Sequence, residues 1–144
     1  MTPSDERIAR ALLETRTIAL VGASMNPDRA SHRVGTYLAS VGYRVIPVNT
    51  GHVGKTLFGQ TVVGRLCDIK EDVQLVDIFR NSDAVVPVVE EALNSLKGLR
   101  VIWMQLGIRN AEARRIAEAR GLTVFEDRCT ATEHGRLLRG AKSA

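Results

Sequence analysis

Cysteine is scarce in this chain, with Cys67 and Cys129 the only two. Two thiols cannot staple a disulfide scaffold, so the chain is expected to fold on an apolar core in a reducing, cytoplasmic setting. Aromatic residues are equally sparse at 4%, which leaves few platforms on which single-stranded nucleic acid could stack. No apolar run approaches the roughly 20 residues needed to span a bilayer, and no leader-like segment opens the chain, so a membrane is not an expected partner. Internal repeats, low-complexity tracts and Pro/Gly/Ser-rich linkers are also missing. What remains is 144 residues, 44% apolar and 25% charged. That is enough for a single domain over residues 1–144 with a proper core.

The formal charge of +4 is lopsided. Residues 1–97 carry 11 basic and 11 acidic groups, whereas residues 98–144 carry 9 basic and 5 acidic. The basic groups of the last third are spread singly, apart from the pair Arg114–Arg115, and form no lysine-rich tail or basic stripe. Nucleic acid is therefore not an expected partner.

Hydrophobic periodicity divides the chain into alternating elements. Thr2-Pro3-Ser4-Asp5 opens a helix to about residue 15, with Ile8, Leu12 and Leu13 on one face. A first buried strand follows at 17–21 and ends in Gly22; a helix from 31 carries Val34, Tyr37, Leu38 and Val41. A second strand spans 43–48. The stretch 49–72 is irregular and is expected to hold a loop, a short extended piece and one short helix. Strands at 73–79, 100–106 and 122–125 are separated by helices over 82–96 and from 110 to 121. Thr130-Ala131-Thr132-Glu133 is a capping box that opens a last short helix.

Apolar strands joined by helical crossovers predict an α/β, Rossmann-like, doubly wound sheet of five parallel strands with helices on both faces. The expected strand order is 3-2-1-4-5. Its ligand site would lie beyond the carboxyl ends of the strands, where the order reverses.

The loop from Gly22 to Arg33 then occupies the phosphate-binding position before a helix N-terminus. It is not the dinucleotide fingerprint, because Ser24 and Pro27 stand where the second and third glycines belong. A serine hydroxyl and Arg29 can reach phosphate where the backbone cannot. The second strand ends Val48-Asn49 and lacks the acid that NAD enzymes place there, while Arg44 stands at its start. This pattern suits a ligand with an additional phosphate, such as NADP or coenzyme A. Arg80 follows the third strand beside a helix start, and Gly107 after the fourth would permit close approach of a ligand.

Other apparent motifs lead nowhere. Gly54-Lys55-Thr56 resembles the end of a phosphate loop but lacks its first glycine and its strand–loop–helix setting. Asp127, Cys129, Glu133 and His134 match no zinc spacing, so no metal site is expected. Cys129, preceded by Arg128 and followed by a helix start, reads either as a favoured thiolate or as a small core residue.

Several of these segments together resemble a known family. They are Val21-Gly22-Ala23-Ser24 with Pro27 and Arg29, Gly42 to Asn49, and Val76-Asp77-Ile78-Phe79-Arg80. Trp103-Met104-Gln105-Leu106-Gly107-Ile108 and Asp127-Arg128-Cys129 with Glu133-His134 continue the pattern. From about residue 7 to 139 the chain resembles small stand-alone CoA-binding proteins, which are similar to the amino-terminal domain of the succinyl-CoA synthetase alpha subunit. The resemblance implies coenzyme A, or an acyl-CoA, as the ligand. It implies that Gly22, Ala23, Ser24 and Arg29 meet phosphates and that Arg44 contacts the nucleotide end. Val48 and Asn49 would border the adenosine, and Phe79, Arg80 and Asn81 would border the rest of CoA. The synthetases need a second domain with a phosphohistidine and a partner subunit. This chain is therefore expected to bind without a self-contained catalytic site, with a homodimer or a partner synthetase as possible assemblies. The alternative expectation is an NADP-binding enzyme or redox regulator.

Overall fold

A computed structural model of the protein describes residues 1–138; the last six positions of the expected domain lie outside the described residues. Helix α1 (Pro3–Glu14) begins as the sequence predicts. The Thr2 hydroxyl accepts from the Asp5 amide at 3.0 Å, and the Asp5 carboxylate accepts from the Thr2 amide. Strand β1 (Thr17–Val21) is buried at all five positions. It leads into α2 (Ala30–Ser40) and β2 (Arg44–Val48).

The irregular stretch contains a small hairpin, β3 (Thr56–Leu57) and β4 (Gln60–Thr61), and a 3-10 turn at Leu66–Asp68. Its tip, Phe58-Gly59, has φ of 54° and 76°, the doubly positive pattern of a tight hairpin turn. The Phe58 ring lies flat against Gly35 of α2, where an added Cβ would stand 2.2 Å from the ring. That contact explains a glycine in mid-helix. Strands β5 (Leu75–Ile78), β6 (Val101–Met104) and β7 (Thr123–Phe125) then alternate with α3 (Val85–Ser95) and α4 (Ala111–Ala119), and α5 (Thr130–Leu138) ends the described chain.

The five long strands are parallel, in the order β2-β1-β5-β6-β7. The α/β doubly wound sheet is as predicted, but its order is 2-1-3-4-5 rather than 3-2-1-4-5. The third long strand pairs with β1 instead of lying outside β2. Right-handed crossovers allow both arrangements, so alternation of elements cannot separate them. Pro47 can. Proline has no N–H for a ladder and is confined to edge strands, and β2 is the edge strand of the sheet. Its outer side meets the Val63 segment, whose amide donates to the Pro47 carbonyl at 3.0 Å.

Alternation along the strands divides the core in two. Ile18, Leu20, Leu75, Trp103 and Phe125 face α1, α2 and α5. Ala19, Val21, Val76, Ile102 and Met104 face α3 and α4. One charged side chain interrupts this pattern: Asp77 in β5 is fully buried. Among the described residues no helix is long and apolar enough to cross a membrane.

Candidate functional site

The reversal of strand order falls between β1 and β5, and their exit loops meet there. Gly22, with φ of 88°, approaches the Phe79 backbone so closely that an added Cβ would stand 2.3 Å from the Phe79 carbonyl oxygen. No other residue fits that contact. The amides of Gly22 and Ala23 donate to the Val48 carbonyl, tying the β1 exit to the end of β2.

The chain then makes two local turns. The Ser24 hydroxyl accepts from the Asn26 amide, and the Asn26 side chain accepts from the Asp28 amide. Arg29 occupies the position before α2 in an extended conformation, and no side chain caps the helix there. The first amides of a helix lack intrahelical partners and carry partial positive charge. An uncapped N-terminus beside Ser24 and Arg29 is therefore a place for an anion.

Asn49 performs a different task from the one its position suggests. Its amide nitrogen donates to the Ala23 carbonyl at 2.6 Å, and its oxygen accepts from the Gly51 amide at 2.7 Å. It braces the two loops, leaving one hydrogen and one lone pair free for anything outside. On the other side, Gly107 is held by Asp127, whose carboxylate accepts from the Gly107 amide at 2.7 Å and from Arg109 at 3.2 Å. The Gly107 hydrogen bond holds the Asp127 carboxyl below the usual range. Deeper in, the Gln105 oxygen accepts from the Thr130 amide, and the Thr130 hydroxyl donates to Asp77 at 2.8 Å. The second Asp77 oxygen has no hydrogen-bond partner among the described residues. Burial pushes the Asp77 carboxyl up to about 7, with the Thr130 hydrogen bond opposing.

Three adjoining cavities run across these loops. One of about 450 Å3 lies between the ends of β1 and β2, beside Arg65 and Arg80. One of about 360 Å3 lies at the α2 N-terminus, beside Ser24 and Arg29. The third, about 560 Å3, lies between Phe79-Arg80-Asn81 and Gln105-Leu106-Gly107, with Cys129 in its wall. Gly22 and Asn49 are shared by the first two and Phe79 by the last two, so the three form one trough.

Gly22, Ala23, Ser24, Arg29, Val48, Asn49, Phe79, Arg80, Asn81 and Gly107 all border this trough. Arg44 does not. It starts β2 at the amino end of the sheet, about 13 Å up the strand from Val48, and pairs with Glu71 at 2.6 Å. Arg65 and Gln105 join the lining without having been singled out for it. Arg65 lies in the irregular stretch, where periodicity carries no signal. The electrostatics favour an anion. The Arg29 and Arg80 side chains have no partner among the described residues, and Arg65 reaches Asp68 only at 3.8 Å. The Asp127–His134 group diverges instead of converging. Glu133 pairs with Arg128 and Arg136, and His134 meets the Tyr37 hydroxyl.

The model of a CoA binding domain family matches residues 16–135. The chain belongs to that family. It is 36% identical to the uncharacterized protein YneT of Bacillus subtilis over 132 residues, 92% of this chain and 95% of that protein. Cell-free ID.343 from Thermus thermophilus shares 38% identity with it at a TM-score of 0.88, over 96% of this chain and 100% of that one. The dinucleotide-forming acetyl-coenzyme A synthetase 1 of Ca. Korarchaeum cryptofilum has the same fold in part of its length. There the TM-score is 0.67 and the identity 23%, over 82% of this chain and 26% of that one.

Proposed function

We propose that the domain, taken as one unit over residues 1–144, binds coenzyme A or an acyl-CoA along the trough at the carboxyl ends of the strands. The observation that carries this reading is the pairing of an uncapped α2 N-terminus with Arg29 and Arg80, two guanidiniums that have no partner among the described residues. CoA has a pyrophosphate and a separate ribose phosphate joined to a long, weakly polar arm. A trough of three linked cavities with cationic groups at separated points suits that shape better than a single round pocket. Ser24 and the α2 amides would hydrogen-bond phosphate, Arg29 and Arg80 would pair with it, and Gly22 and Gly107 keep the floor open.

The reading assigns binding rather than turnover. Asp127 is taken by Gly107 and Arg109 and Glu133 by Arg128 and Arg136, and Glu91 is the one carboxylate in the trough lining among the described residues. A homodimer or a partner synthetase would supply any chemistry done on the bound thiol. Cys67 and Cys129 are both free thiols, which fits a cytoplasmic location. Mass spectrometry of small molecules released from the freshly purified full chain, followed by calorimetric titration with CoA, tests the assignment. Release or tight binding of CoA supports it. Binding of NADP with no response to CoA overturns it.

A further inference from the structure

The opposite, amino-terminal end of the sheet carries a second concavity, of about 470 Å3, between the latter half of α1 and the starts of β6 and β7. Arg7, Arg10 and Glu14 are spaced i, i+3 and i+7 on α1 and so share one side of that helix. Arg100 immediately precedes β6, and Arg120 follows the last residue of α4. Four guanidiniums thus surround one depression, with Glu14 the single carboxylate in its lining among the described residues.

These charges are not neutralised internally. Among the described residues the side chains of Arg10, Arg100 and Arg120 have no hydrogen-bond or ion-pair partner. Arg10 and Glu14 do not pair despite their i, i+4 spacing. Arg7 only overlies the Phe125 ring, its guanidinium carbon 5.7 Å from the ring centre. Elsewhere in the fold Arg44, Arg109, Arg114 and Arg136 each hold a carboxylate. Two residues of this cluster, Arg100 and Arg120, are isolated cations in the sequence of the basic last third; folding brings them to Arg7 and Arg10.

The geometry points to a second ligand site at this end, taking a small phosphate ester with at least two negative charges and an apolar body. Guanidinium forks match phosphate oxygens in pairs, and several forks around one cup suit a phosphate better than a single carboxylate. Ala11, Leu99 and Leu122 supply the apolar floor, and the volume lies in the range of small-molecule pockets. A cup of this size, not a long basic strip, favours a small ligand over a nucleic acid strand. This site stands apart from the CoA trough and does not depend on that reading.

Inorganic pyrophosphate is the probe, titrated into the isotope-labelled full chain while amide shifts are followed. The amides of Arg100, Val101 and residues 121–123 should shift together and saturate with a Kd near or below about 1 mM. Arg10→Ala with Arg120→Ala should weaken that response at least about tenfold and leave CoA binding unchanged. Arg29→Ala should do the reverse. All three side chains are exposed, so the thermal melt should not move, and Arg10→Gln alone gives the same readout at reduced amplitude. The proposal fails if no amide in this group responds, or if the response survives the double substitution. It fails equally if a short single-stranded DNA binds the groove more tightly than pyrophosphate, because the occupant would then be a nucleic acid.

Discussion

Replacing Asp77 by asparagine should make the protein more stable above about pH 5, by a margin that grows as pH rises. Asp77 is fully buried in β5, in register with Leu20 and Trp103. One oxygen takes the Thr130 hydroxyl, and the other has no hydrogen-bond partner among the described residues. The folded state keeps its proton up to about 7, while the unfolded chain releases it near about 3.9. Between those values the folded state binds more protons, so stability falls as pH rises through that window and levels off above it. The gap of about three pH units, at about 1.36 kcal/mol each, corresponds to about 4 kcal/mol lost by pH 8. About 2.5 kcal/mol of that loss falls between pH 5 and pH 8.

Asparagine has the same shape and no charge to desolvate. It exchanges an unpartnered oxygen for an unpartnered amide, a roughly 1 kcal/mol offset that does not vary with pH. Urea unfolding of both proteins at half-unit intervals from pH 4 to pH 8 measures the difference. His134, whose pKa burial lowers, contributes in the opposite direction. Its stability penalty is relieved as pH rises, but it is common to both proteins and cancels in the difference. A parent-to-variant difference that stays flat across this range would refute the reasoning and mean that Asp77 is ionised throughout.

Three other outcomes follow from the site. Arg29→Ala should weaken CoA binding by tens-fold, since a charge-assisted contact is worth roughly 1.5–3 kcal/mol; unchanged calorimetric affinity would remove Arg29 from the site. Arg44→Ala should leave CoA affinity unchanged, because Arg44 lies at the amino end of β2 against Glu71, and a tenfold loss would show that the nucleotide reaches that end. Gly22→Ala should cost roughly 2 kcal/mol or more, from its positive φ and the 2.3 Å approach to Phe79. A lowered thermal midpoint checks it, and a midpoint within a degree of the parent would count against so tight a loop contact.

The loops after β1, β2, β5 and β6 were legible because each follows a buried apolar run and ends in a punctuating residue such as Gly22, Asn49 or Gly107. Rossmann-like sheets put ligands at those ends, so position along the chain sufficed to select them. The role of Asn49 was not legible: whether its amide faces a ribose or the Ala23 carbonyl depends on a loop 26 residues away in sequence. Arg44 misled for a related reason. It is close to Val48 in sequence but lies a strand length away in space, at the amino end of β2 beside Glu71. The buried state of Asp77 was equally hidden, since an acid flanked by Val76 and Ile78 looks the same on a covered or an open face.

Taken alone, the order of residues determined an α/β sheet, its helical crossovers and the end at which a phosphorylated ligand would be sought. Those follow from local periodicity and from chirality, which act over a few residues at a time. Through Pro47 it also held the clue that β2 is an edge. Only the tertiary structure decided which cations stand together. Arg100 and Arg120 are 20 positions apart and far from Arg7 and Arg10, yet they share one groove, while Arg29 and Arg80 converge on the other end of the sheet. Electrostatic interaction depends on distance through space and on partners already engaged, and neither is written in sequence separation.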